Sequence, residues 1–118
     1  MLPTQIMPVH LPGRALDIKD PTYSNPAIPV GEKARAVQRQ LSVPTSGSQT
    51  WRIFSTPANH GDGFMIDHNV GRFASPGYVG RVLDVVWAEK NDGAAIQVHD
   101  PHFGSNQRWD IWVSEPFS

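Results

Sequence analysis

Gly80-Arg81-Val82-Leu83-Asp84-Val85, then Ala95-Ile96-Gln97, then Asn106-Gln107-Arg108-Trp109-Asp110-Ile111-Trp112 is the stretch whose reading decides the fold. The chain has already spelled it once. Gly13-Arg14-Ala15-Leu16-Asp17-Ile18, Ala36-Val37-Gln38 and Ser48-Gln49-Thr50-Trp51-Arg52-Ile53-Phe54 are the same three blocks in the same order. Three blocks recurring in order imply a repeated structural unit, and the repeat has to be read before any single residue.

The blocks alternate in the manner of strands. Val82, Asp84 and Val86 face one way and Leu83 and Val85 the other; Ala95 to Val98 and Trp109 to Trp112 show the same period of two. Phe64 to His68 is a further strand candidate, with Ile6 to His10 as its partner in the first unit, weakened by Pro8. Asn91-Asp92-Gly93 is a turn signal. Asp20 to Val30, Val43 to Ser48 and Val70 to Gly80 read as loops, and Gly31 to Gln40 as a strand after a loop. Eleven prolines and ten glycines among 118 residues disfavour long helices. The expectation is an all-β chain with about four short strands per unit.

Size and charge narrow the function classes. The chain has room for a single domain over residues 1–118, with repeat one at about 5–54 and repeat two at about 62–113. A net charge of −1 with interspersed signs leaves no basic stripe, so nucleic acid and anionic membranes are not the expected partners. No segment approaches the roughly 20 apolar residues of a membrane helix. Cysteine is absent, which removes disulfides and thiolate chemistry. The N-terminus has no basic and apolar pattern of a signal peptide, so the expected location is cytoplasmic, or outside the cell without that route.

In this order the blocks resemble the ricin B-chain, or R-type lectin, family of β-trefoils. Its repeat runs through Gly-Lys/Arg-x-Leu-Asp-Val, a loop, x-Val/Ile-Gln-x-aromatic, and Asn-Gln-x-Trp. Gly80 to Trp109 matches nearly position by position, and Gly13 to Trp51 more loosely. The resemblance implies a β-trefoil-like fold, no cofactor and no metal, and sugar binding. A trefoil has three repeats, and this chain shows two. Between Trp51 and Gly80 there is one strand candidate and an insertion, not a third copy. Either a third unit lies outside this chain, or another subunit supplies it, or these strands close differently; because soluble proteins avoid open strand edges, a homo-oligomer or a completing partner chain is expected.

By the same resemblance, the sugar pocket of the second unit is Asp84, Gln97, His99, Asn106 and Gln107, with His99 at the place of the stacking aromatic. The weaker pocket of the first unit is Asp17, Gln38, Gln40, Ser48 and Gln49, with no stacking face unless Tyr23 supplies one. The implied ligand is a neutral sugar of the galactose or N-acetylgalactosamine type. Carboxylates and amides suit such a ligand because they exchange paired hydrogen bonds with hydroxyls, while a flat ring covers the apolar C–H face. The residues alone allow a plainer reading: Gln49 and Gln107 as buried amides bonded to backbone, Trp51 and Trp109 as core anchors, Asp84 as a turn cap.

The rival is a protein-binding module, such as an inhibitor or an assembly subunit, docking through the Pro-rich loop Asp20 to Val30. An enzyme is not expected. His99-Asp100-Pro101-His102 and His60-Gly61-Asp62 contain candidate ligands or acid/base groups, but neither has a third ligand placed beside it in sequence. Asp17 and Asp84, at equivalent points of two repeats, do not form the close pair of a glycosidase.

Overall fold

The computed structural model describes residues 5–7, 13–20, 30–43, 46–68 and 79–111. Six strands form: β1 (Arg14–Lys19), β2 (Arg35–Gln40), β3 (Trp51–Ser55), β4 (Phe64–His68), β5 (Val82–Val85) and β6 (Ile96–His99). They make one antiparallel sheet in the order β1-β2-β6-β5-β4-β3, curled into a half-barrel. The all-β reading therefore holds. No helix among the described residues is long and apolar enough to cross a membrane. Of the expected first strand, Ile6 accepts a hydrogen bond from Leu16 N–H at 2.7 Å, while residues 8–10 lie outside the described residues. The expected strand Trp109 to Trp112 is reduced to a bridge between Trp109 and Phe64, with Trp112 also outside the description.

Turn chemistry places the strands. Gly93 takes φ +81 in the expected turn, which Ala94 N–H closes onto Asn91 C=O at 3.3 Å. Gly63 (φ +101) enters β4 where a Cβ would sit 3.0 Å from the Trp109 carbonyl. That close approach lets Phe64 and Trp109 exchange two backbone bonds of 2.8 Å.

The core is small and unusually polar. Ile18, Val30, Trp51, Ile66, Leu83 and Val98 form its apolar cluster, with Leu16, Ile53, Ile96 and Trp109 packed against it. Among the described residues, nine buried hydrophobic ones stand beside eight buried polar ones, Asp17, Gln49, Thr56, Asp67, His68, Asp84, Gln97 and Gln107. With so even a balance, hydrogen bonding as well as area decides which arrangement is stable, because a buried polar group without a partner is costly.

Those bonds follow the repeated blocks. Each Gln of Gln-x-Trp ends a short 3-10 turn, Gly47–Gln49 or Ser105–Gln107. Gln49 Nε2 donates to Asp17 Oδ2 (3.2 Å) and Gln40 C=O (2.8 Å), and its Oε1 accepts from Ser42 N–H (3.0 Å). Gln107 Nε2 donates to Asp84 Oδ2 (2.9 Å) and Asp100 C=O (3.0 Å), and its Oε1 accepts from His102 and Phe103 N–H (2.9 and 3.2 Å). The indoles match too: Trp51 Nε1 donates to Leu16 C=O at 3.1 Å and Trp109 Nε1 to Leu83 C=O at 3.3 Å. In the Leu-Asp and Gln-x-Trp blocks, the residues that recur in sequence make the same bonds twice.

A third buried carboxylate, Asp67 on β4, is satisfied differently. Arg52 on β3 forks onto it at 3.1 and 2.8 Å, and Gly80 N–H adds a bond of 3.1 Å. Burial pushes its pKa up, against the pull of these partners. Its neighbour His68 lies edge-on to Trp51, with ring centroids 4.8 Å apart, and bonds Ser48 C=O through Nε2. Burial holds the His68 pKa below its ordinary value.

Candidate functional site

β5 and β6 pair so that Asp84 faces Gln97 directly. His99, two residues on, emerges on the same side of the sheet. β5 then breaks into a 3-10 turn at Val86–Ala88, and the turn Ser105–Gln107 brings Asn106 alongside, its Nδ2 donating to Val85 C=O at 3.1 Å. The result is a cleft of about 420 Å³ whose lining includes Asp84, Gln97, His99 and Asn106. Four of the five residues expected for the second-unit pocket are thus brought together. The fifth, Gln107, is fully buried and lies beneath the cleft, holding Asp84 in place.

Asp84 is the floor of the cleft. Oδ1 accepts from Gln97 Nε2 at 3.2 Å and Oδ2 from Gln107 Nε2 at 2.9 Å. A carboxylate has about four lone-pair sites, so these two bonds do not saturate it, although Asp84 is only 2% exposed. The Gln97 amide is oriented from the other side, where Arg35 Nη1 donates to its oxygen at 2.9 Å. His99 donates Nδ1–H to Asp100 C=O at 2.9 Å, which turns Nε2 toward Glu32 Oε1, 3.4 Å away. His102 accepts from Gly104 N–H at Nδ1 (3.0 Å), and its Nε2 lies 3.6 Å from Asp84 Oδ2.

Beside the aliphatic Val86 and Ala88, three lining residues escaped the sequence reading, Lys33, Arg35 and Trp87; His102, weighed there only as a candidate ligand next to His99, joins them. Trp87 is the most consequential. It is 86% exposed and sits at φ 58, ψ 21, a left-handed conformation costly for a bulky side chain. Its indole is held outward, at a strained position, as a flat exposed face on the rim of a polar cleft. The available signal was an aromatic residue directly after the Leu-Asp-Val-Val run, where the chain turns polar. Lys33 and Arg35 had no such signal, because they belong to the first unit and reach this cleft through the Arg35–Gln97 pairing of β2 with β6 and the backbone bonds of Lys33 and Ala34 with Val98.

The first-unit set does not assemble in the same way. Asp17 and Gln49 meet, and Ile18 N–H adds a bond to Asp17 Oδ1 at 2.7 Å. Gln38 departs. Opposite Asp17 on β2 stands Val37, while Gln38 pairs with Leu16 and is exposed, bonded to Arg14 Nε at 2.6 Å. The Ala36-Val37-Gln38 match is therefore offset by one residue from Ala95-Ile96-Gln97. One residue in a strand moves a side chain to the other face. Gln40 is exposed and gives only its carbonyl, to Gln49; the Ser48 hydroxyl bonds Ser46 Oγ at 3.1 Å. Tyr23 lies outside the described residues.

Comparison with known proteins adds no relative: no family model, no curated protein and no solved structure matches the chain.

Proposed function

We propose that this chain is a carbohydrate-binding module of the R-type lectin kind, binding a neutral sugar of the galactose or N-acetylgalactosamine type in the Asp84 cleft. The observation that carries the reading is the convergence of Asp84, Gln97, His99 and Asn106 on one open cleft with the exposed Trp87 ring at its rim. Asp84 accepts from ring hydroxyls. Asn106 Oδ1 offers a further acceptor, since its Nδ2 is committed to Val85. Trp87 covers the apolar face of the sugar, with His99 alongside.

The twice-made Gln-to-Asp and Trp-to-Leu bonds support a trefoil-like repeat in which this chain supplies two units. A third unit, from a further segment or another chain, closes the half-barrel. One shallow site of this kind binds weakly. Each neutral hydrogen bond nets about 0.5–1.5 kcal/mol, so a dissociation constant nearer millimolar than nanomolar follows, and several sites in an assembly supply avidity.

A glycan array probed with the wild type and with Trp87→Ala tests the proposal. Binding to a coherent set of galactosides by the wild type, lost in the variant, supports it. No glycan binding by the folded wild type, in its native assembly, would sink it and turn attention to a protein partner on the same cleft.

A further inference from the structure

We infer that Asp84, His99 and His102 form a binding site for a borderline divalent transition-metal ion, probed here as Zn²⁺. Each of the three offers one ligand atom, and these atoms lie within 4.8 Å of one another. In sequence the histidine pair lacks a third ligand. The pairing of Asp84 with Gln97 provides one, by carrying a carboxylate under a histidine pair that begins fifteen positions later. With metal–ligand bonds of about 2.1 Å, tetrahedral ligands stand about 3.4 Å apart. His102 Nε2 and Asp84 Oδ2, at 3.6 Å, are already near that spacing. His99 has to close by up to about 1.4 Å, since the three atoms lie within 4.8 Å of one another.

The surroundings suit ligation. His99 gives its Nδ1 proton to the Asp100 carbonyl, which leaves the Nε2 lone pair free, as in most metal-bound histidines. Asp84 is held by Gln97 and Gln107. His102 binds through Nε2 by moving its proton to Nδ1, at the cost of the hydrogen bond from Gly104. Glu32, whose Oε1 is 3.4 Å from His99 Nε2, or a water in the open cleft takes the fourth position. Two imidazoles with a carboxylate and no thiolate favour zinc, nickel or copper over calcium or magnesium, which prefer all-oxygen sites. Lys33 and Arg35 share the cleft and oppose a cation, so the affinity is moderate.

Isothermal titration calorimetry of the full chain with zinc chloride tests this. The expected result is one Zn²⁺ per chain with a submillimolar dissociation constant. It weakens at least about tenfold in His99→Gln and in His102→Gln. It is unchanged in His60→Phe, which keeps the ring stacked on Phe103. Absence of saturable binding, wild-type affinity in either cleft variant, or equal binding of magnesium would overturn the assignment; circular dichroism of each variant confirms that it is folded. The inference does not depend on the sugar reading, which is measured separately with a chelator present.

Discussion

Replacing Trp87 with glycine separates the cleft's function from its stability. Trp87 holds φ 58, and only 14% of its surface is covered, since it is 86% exposed. A left-handed conformation costs an L-residue roughly 1–2 kcal/mol, and glycine pays none of it. Glycine in turn loses about 0.5–1 kcal/mol more chain entropy on folding. The difference makes Trp87→Gly more stable than the wild type by about 0.5–1 kcal/mol, a rise in Tm of about 2–5 °C for a chain of this size. Sugar binding moves the other way. A pyranose face removes on the order of 60 Å² of indole surface from water, about 1.5 kcal/mol, or roughly tenfold in affinity. Thermal unfolding by circular dichroism and titration with a galactoside, run on the same preparations, measure both. Trp87→Phe, which keeps a flat ring, falls between wild type and glycine in affinity. If Trp87→Gly loses stability by more than about 1 kcal/mol, the ring supports the fold and the strain argument is wrong. If it binds sugar as the wild type does, the platform lies elsewhere.

Three further outcomes follow from the buried polar network. Gln107→Met keeps the volume but strands Asp84 Oδ2 and two backbone N–H groups, so urea unfolding registers a loss of about 3–5 kcal/mol, whereas Gln38→Met, at an exposed amide, costs under about 0.5 kcal/mol; similar losses would overturn the one-residue offset between the repeats. Arg52→Met leaves Asp67 buried without its guanidinium and costs about 2–4 kcal/mol near neutral pH. The penalty shrinks as the solution is acidified and Asp67 takes up a proton, and a pH-independent penalty in urea titrations would refute this. His68 remains neutral in the native state below its ordinary value of 6.5, while the unfolded chain protonates there. Stability therefore drops as pH falls from about 6.5 toward the lower native pKa, and this part of the pH dependence disappears in His68→Gln; an unchanged slope of urea midpoint against pH would show that other groups set it.

Much of the fold and part of the site were legible in the residues. Period-two alternation in the repeated blocks marked β1, β5 and β6, Phe64 to His68 and Gly31 to Gln40 were read as strands that become β4 and β2, and Asn91-Asp92-Gly93 marked the turn between β5 and β6, because strand pleat and turn dihedrals act over a few neighbouring residues. The repeated Gln-x-Trp and Leu-Asp blocks pointed to Gln107, Trp109 and Asp84, since a buried amide, an indole and a carboxylate must find partners. Local sequence therefore determined the all-β class and the polar centre of each unit, while Gln97, His99 and Asn106 were expected in one pocket only through the resemblance to the R-type lectin repeat. Register and long-range approach were decided only by the tertiary structure. Gln38 and Gln97 look alike in sequence, yet the ladder between β1 and β2 sets Val37 opposite Asp17 and turns Gln38 outward. Lys33 and Arg35 come to the Asp84 cleft because β2 pairs with β6 across the two units. The carboxylate that joins His99 and His102 arrives by the same kind of strand pairing. Such placements depend on the sum of contacts over the whole sheet, and no short run of residues carries that sum.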